Sequence, residues 1–189
     1  LRARKLPQDS NWEPRLGELF KALVDQDPVL PIVMSRRPNF GFPGHVLFMS
    51  QLPAEHVTTA IAGFVKQISA DKDYQWTNDV AFIVGESTLP EHRQLVRAQY
   101  ENYGVRAAVL QVLAAKPELR DRQLFVDGLE SSQVEAVSAC IDALSALKGT
   151  PDETELVALL KCLRRLGADK NEFAAREKAV KLLMKHTGE

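Results

Sequence analysis

Residues 125–147, FVDGLESSQVEAVSACIDALSAL, hold two helical stretches split by a polar break, and each stretch is apolar along one side only. A helix pair of this kind cannot bury its own apolar face, so it must pack against further helices of the same type. The same spacing runs along the chain. Apolar residues recur at three- and four-residue steps at Leu16, Leu19, Phe20 and Leu23, at Val57, Ile61, Phe64, Val65 and Ile68, and at Val105, Ala108, Val109, Val112 and Leu113. The tail continues with Val137, Cys140, Ile141, Leu144 and Leu147, then Leu156, Leu159, Leu160 and Leu163, then Val180 and Leu183. No alternating strand pattern competes with them. Pro28, Pro38, Pro43, Pro53, Pro90, Pro117 and Pro151 fall between these segments, several where a helix would begin. In TPDE (150–153), Thr150 is the expected N-cap and Glu153 the partner that closes a capping box. The pattern predicts an all-α layout of antiparallel helices of about 10–17 residues joined by short polar connections.

Two of these hairpins share a register. With residues 129–147 laid over 166–186 at a spacing of about 39, Cys140 falls on Ala179, Ile141 on Val180, Ala143 on Leu182 and Leu144 on Leu183. A period of that length belongs to stacked helix pairs, in which each pair hides one face against the preceding pair and the other against the next. Small residues at Ala107–Ala108 and Ala174–Ala175 suit close helix approach. A compact helical bundle is the competing architecture.

LFKALVDQDPVL (19–30) resembles the helix-pair junction of the HEAT repeats, with an apolar first helix, a turn at Asp27–Pro28 and an apolar second helix. VRAAVLQVL (105–113) resembles the start of a HEAT second helix, and in FAAREKAVKLL (173–183) Arg176 falls at the matching arginine position. The family's aspartate–arginine ladder is not matched. Its aspartate position holds Tyr100 before Arg106 and Gln133 in the 125–147 stretch, while Val137 replaces the arginine. The resemblance covers about 90–188 and 12–37. It implies antiparallel helix pairs stacked as a HEAT/ARM-like right-handed superhelix: a single helical-repeat domain over 1–189, irregular over about 1–88 and more regular over about 89–189.

PELRDRQLFVDGLESSQVEAVSACIDAL, followed by LLKCLRRLG and KLLMKHTGE, is also similar to the helical-repeat segment of planctomycete-type multidomain haem-binding, membrane-bound dehydrogenase-like proteins of bacteria. In those proteins the segment lies between a propeller-like dehydrogenase domain and a cytochrome c domain. Covalent haem attachment there needs C-x-x-C-H, which this chain does not contain. The resemblance implies a spacer or docking module whose redox chemistry lies in flanking domains, and an extracytoplasmic (periplasmic) location. The chain opens on Leu1 with no starting methionine, so we expect it to be a piece of something larger.

Charge selects no partner. The 24 basic and 25 acidic residues nearly cancel, and no run of like charge is long enough to tether the chain to nucleic acid or a membrane surface. No apolar run approaches the roughly 20 residues that span a bilayer. Cys140 and Cys162 stand among apolar helical neighbours, outside any C-x-x-C pair, and are expected in the core. His45, His56, His92 and His186 are dispersed and lack metal-site spacing, and GES (85–87) lacks the G-x-S-x-G elbow of a nucleophilic serine. Trp12 and Trp76 are expected to anchor helix packing, and Asp71, Lys72 and Asp73 to form a solvated turn.

One stretch interrupts the helical pattern. SRRPNFGFPGHVLF (35–48) concentrates two arginines, two aromatics, two glycines and two prolines before its final apolar residues. Long structured loops in helical arrays often carry binding. Arg36 and Arg37 are suited to carboxylates or phosphates, Phe40 and Phe42 to covering an exposed core edge, and His45 completes the candidate partner-binding loop. The competing role for the loop is to cap an irregular repeat. The expected function is a non-catalytic helical-repeat scaffold for protein–protein interaction or domain spacing, with no catalytic residues, metal or cofactor, and with a protein or the flanking domains as partner. The alternative is a HEAT-like DNA-binding or DNA-repair glycosylase-type enzyme, which needs a basic groove and a carboxylate facing it.

Overall fold

A computed structural model describes residues 12–167 and 170–188. The stretch 1–11, Leu1 included, lies outside the described residues, as do the side chains of residues 12–16, among them Trp12 and Leu16. Every regular element among the described residues is helical. In chain order these are α1 Trp12–Gln26, α2 Leu30–Ser35, α3 Val46–Met49, α4 Ala54–Ala70, α5 Asn78–Gly85, α6 Pro90–Arg97, α7 Arg106–Ala115, α8 Arg122–Gly128, α9 Val134–Ala146, α10 Glu153–Arg165 and α11 Lys170–Thr187. Short 3-10 turns at Pro43–His45 and Leu119–Asp121 lead into α3 and α8. The chain divides into two compact units, Leu1–Tyr74 and Gln75–Glu189.

In the first unit, α2 packs on α4 and α3, and the core gathers Phe40, Ala60, Ile61, Phe64 and Tyr74. Helix α1 rests on the short α2 and, through Phe20, edge-on against Phe48 of α3 at 4.6 Å between ring centres. Leu19 and Leu23, whose spacing predicts a buried stripe, are exposed. A six-residue helix is too short to cover a fifteen-residue neighbour along its length.

The second unit is built from two helix layers. In one, α5 packs on α7, α7 on α9 and α9 on α11; in the other, α8 packs on α10, and α7 on α8, α8 on α9 and α10 on α11 pack across the layers. Lys178 of α11 donates to Ser138 Oγ at 2.8 Å, and Lys185 donates to the Ser145 carbonyl at 2.8 Å. The two contacts advance together along both helices, so α9 and α11 run parallel. The same holds for α8 and α10, joined near their starts by Arg122 and Glu155 and near their ends by Arg165 Nη2 donating to the Leu129 carbonyl at 2.6 Å. Gly128 lets α8 close on α9, because a Cβ there would lie 2.5 Å from Cys140 Sγ. Both cysteines are free and buried as expected, and burial pushes the Cys140 thiol up to about 12.

The shared register of α9 and α11 holds on one side only. Ala136, Cys140 and Ala143 are buried, and so are their counterparts Ala175, Ala179 and Leu182. Ile141 is buried where Val180 is 40% exposed, and Leu144 is buried where Leu183 is half-buried. Helix α9 has neighbours on both sides in its layer, whereas α11 packs on α9 and α10 alone among the elements with extended contact. The expected N-cap also moves. Asp152, not Thr150, caps α10, its Oδ1 accepting the Glu155 N–H at 2.8 Å. The helix therefore starts at Glu153, and Glu155 falls in its first turn.

That shift places a buried carboxylate between layers. Glu155, fully enclosed, accepts from Arg122 Nε at 2.7 Å, and its other oxygen lies 3.2 Å from His186 Nε2 on α11. One step earlier, the buried Asp121 takes Arg97 Nε at 2.5 Å, Arg97 Nη2 at 2.9 Å and Arg93 Nη2 at 2.9 Å, while Glu118 lies beside both arginines. Burial pushes the Asp121 carboxyl up, but the hydrogen bonds from Arg97 and Arg93 outweigh it and hold the group below its ordinary range. Ion pairs thus join α6 to the turn before α8 and α8 to α10, and the same Glu155 side chain meets His186 of α11. None of them uses Tyr100, Arg106, Gln133 or Val137. Arg106 instead donates through Nε to the Tyr100 carbonyl at 2.7 Å.

Candidate functional site

The 35–48 loop is held at residues 38–41 by Gln67 of α4 and by Tyr74 beyond that helix. Gln67 Nε2 donates to the carbonyls of Pro38 at 3.0 Å and Phe40 at 3.3 Å, and the Tyr74 hydroxyl donates to the Gly41 carbonyl at 2.7 Å. Gly41 has φ +114°, and a Cβ on it would meet the Gly63 carbonyl oxygen of α4 at 2.3 Å, so only glycine fits this approach. Phe40, 1% exposed, stacks on His45 with ring centres 5.0 Å apart and meets Phe64 edge-on at 5.5 Å. The Gly41 and Phe42 N–H groups donate to His45 Nδ1 at 3.0 and 3.1 Å. Nδ1 therefore carries no proton, and burial lowers the pKa of the ring. The five residues divide. Phe40 is core and His45 closes the loop, while Arg36, Arg37 and Phe42 are exposed.

In the second unit, the α6–α7 and α8–α9 connections bound an open cleft of about 560 Å³, lined by Tyr100, Tyr103, Arg106, Asp127, Glu130 and their neighbours. Two of the chain's three tyrosines stand here. The Arg106 guanidinium carbon lies 4.7 Å from the Tyr100 ring centre and 4.2 Å from that of Tyr103, distances at which a cation is attracted to an aromatic face. Arg106 Nη2 also reaches Glu101 at 3.3 Å. Burial, and then the nearby Asp127 carboxylate, push the Tyr100 phenol up. The Tyr103 side of the stack is open, the residue being 83% exposed.

Three carboxylates, Glu101, Asp127 and Glu130, share this lining with a single cation, Arg106, which is already engaged. The cleft is thus electrostatically suited to a cation and repels phosphate. Composition gives no sign of it, because Glu101 comes from the α6–α7 connection while Asp127 and Glu130 come from the end of α8 and the turn after it. The local signal is YENYGVR (100–106), two tyrosines three residues apart before an arginine, which HEAT resemblance reads only as a departure at Tyr100.

Elsewhere, Ser87 Oγ and His92 Nδ1 come within 2.8 Å, but the same oxygen accepts the Leu89 N–H at 3.2 Å, so the pair shapes the turn into α6. Asp71 Oδ1 accepts the Asp73 N–H at 2.9 Å in an exposed turn. Among the described residues no three His, Cys, Asp or Glu side chains are grouped to hold a metal ion, and no helix is long and apolar enough to cross a membrane. Comparison with family models, with curated proteins and with solved structures finds no match for the chain.

Proposed function

We propose that the chain is a non-catalytic helical-repeat module of the HEAT/ARM-like superhelical type, serving protein–protein interaction or holding flanking domains of a larger protein apart. The observation that carries this reading is the layered packing of α5, α7, α9 and α11 and of α8 and α10, with α9 parallel to α11 and α8 parallel to α10. Such a stack depends on neighbour contacts, and its connections form rows of loops that a partner can engage. The planctomycete-type resemblance adds that the flanking domains would hold the redox chemistry and that the module works outside the cytoplasm.

Selection of a displayed random peptide library against the full chain tests the interaction reading. A shared consensus among binders, competing with one another for one surface, is the expected result. A library that enriches no consensus would remove interaction and leave spacing alone.

A further inference from the structure

We propose that the cleft between the α6–α7 and α8–α9 connections takes an arginine side chain from an extended basic segment of a partner protein. This rests on the interaction reading above and names the chemistry of the partner. Arg106 is not a free anion site, because its guanidinium lies over both tyrosine rings, its Nε is spent on the Tyr100 carbonyl and its Nη2 faces Glu101. What remains unmatched is negative. Asp127, which accepts only the uncharged Gln123 amide at 2.8 Å, and Glu130 stand beside the cleft, and the one basic side chain in its lining, Arg106, is engaged elsewhere.

The second, independent feature is the stack itself. Tyr103 already receives one guanidinium at 4.2 Å and is 83% exposed, so a second planar cation can continue the alternation of ring and guanidinium. Arginine suits the position better than lysine, since its flat fork stacks on a ring and pairs two N–H groups with a carboxylate in one geometry. The cleft is open along the two connections and larger than one side chain, which favours an extended segment over a free amino acid.

The test is amide chemical-shift mapping on the full chain with the blocked octapeptide GSGRGRSG, compared with versions carrying lysine, citrulline or glutamate in place of arginine. The arginine peptide should move amides of 100–106 and 127–133, the lysine version should bind more weakly, and the uncharged citrulline and the glutamate versions should leave these amides unmoved. Tyr103→Ala should weaken binding about two- to fivefold, the size of one exposed cation–π contact, and Glu130→Gln should weaken it as well. Both side chains are exposed, so both variants should melt with the parent. Equal binding of arginine and citrulline peptides, unchanged affinity in both variants, or no shift at millimolar peptide would overturn the proposal. Shifts mapping to another surface would also overturn it, yet leave the interaction reading standing; only a failed library selection would remove that.

Discussion

Replacing Asp121 by Asn tests whether the buried ion pairs hold the second unit together. The carboxylate is fully enclosed and receives three hydrogen bonds from Arg93 and Arg97, whose side chains are themselves largely buried. Removing one partner of a buried pair costs about 3–5 kcal/mol because the remaining charge is left uncompensated. Glu118 stays beside both arginines and is partly solvated, which points to the lower end, about 3 kcal/mol. For a unit of this size that is a fall in melting temperature of about 10 °C or more by calorimetry. Replacing the cluster jointly, with Arg93→Met, Arg97→Met and Asp121→Leu, should recover most of the loss, since an apolar cluster of similar volume needs no charge partner. The acid limb provides an independent check. The carboxyl is held below its ordinary value in the folded chain, so its contribution is present above about pH 4, the unfolded value, and is lost as pH falls through the lower folded one. The parent should lose stability in that window and Asp121→Asn should lose less. If Asp121→Asn melts within about 2 °C of the parent and shows the same acid profile, the cluster does not carry the stability assigned to it.

Three other outcomes follow from the same geometry. A chain ending at residue 167 lacks α11, uncovers the faces of α9 and α10 beneath it and strips Glu155 of His186, so it should aggregate or melt well below the parent, each re-exposed large apolar side chain costing about 1.5–3 kcal/mol. Cys140 and Cys162 should resist a thiol reagent in native protein and react fully in denaturant, as expected of buried thiols, with Cys140 pushed up to about 12. Because burial lowers the His45 pKa and its Nδ1 accepts two N–H groups, the neutral ring stabilises the first unit fully above about pH 6.5 and loses that contribution as pH falls below it. Melting curves of His45→Asn should show a flatter slope in that range than the parent.

Much of the helical layout is visible in the residues because it is written in local spacing. The Cys140/Ala179 register marks the faces that α9 and α11 both bury, and the two cysteines read as core because apolar residues surround them. The same spacing cannot say whether a helix has one neighbour or two. That is why Val180 and Leu183 look like Ile141 and Leu144 yet lie more open, and why Leu19, Leu23, Leu160 and Phe173 are exposed despite helical spacing. Thr150 and Asp152 are both competent caps two residues apart, and Asp152 supplies the cap that brings Glu155 to Arg122. The ion pairs of Asp121 and Glu155 join residues more than 20 positions apart, and the cleft sets the local Tyr100–Arg106 stack against Asp127 and Glu130; no periodicity reports such meetings. The 35–48 loop stands out through its glycines and aromatics. Those residues largely serve its closure on α4, through Gly41, Phe40 and His45.

Methyl–methyl distances from nuclear Overhauser spectra test the helix stack most directly. In a stack, Val80 and Val84 of α5 should show contacts to Val109 or Val112 of α7, Val109 and Leu113 to residues of α9, and α9 in turn to Ala179 and Leu182 of α11, with no contact linking α5 to α11. Contacts from the Val80 or Val84 methyls to Ala179 or Leu182 would mean that the helices close into a bundle, and would contradict the layered array.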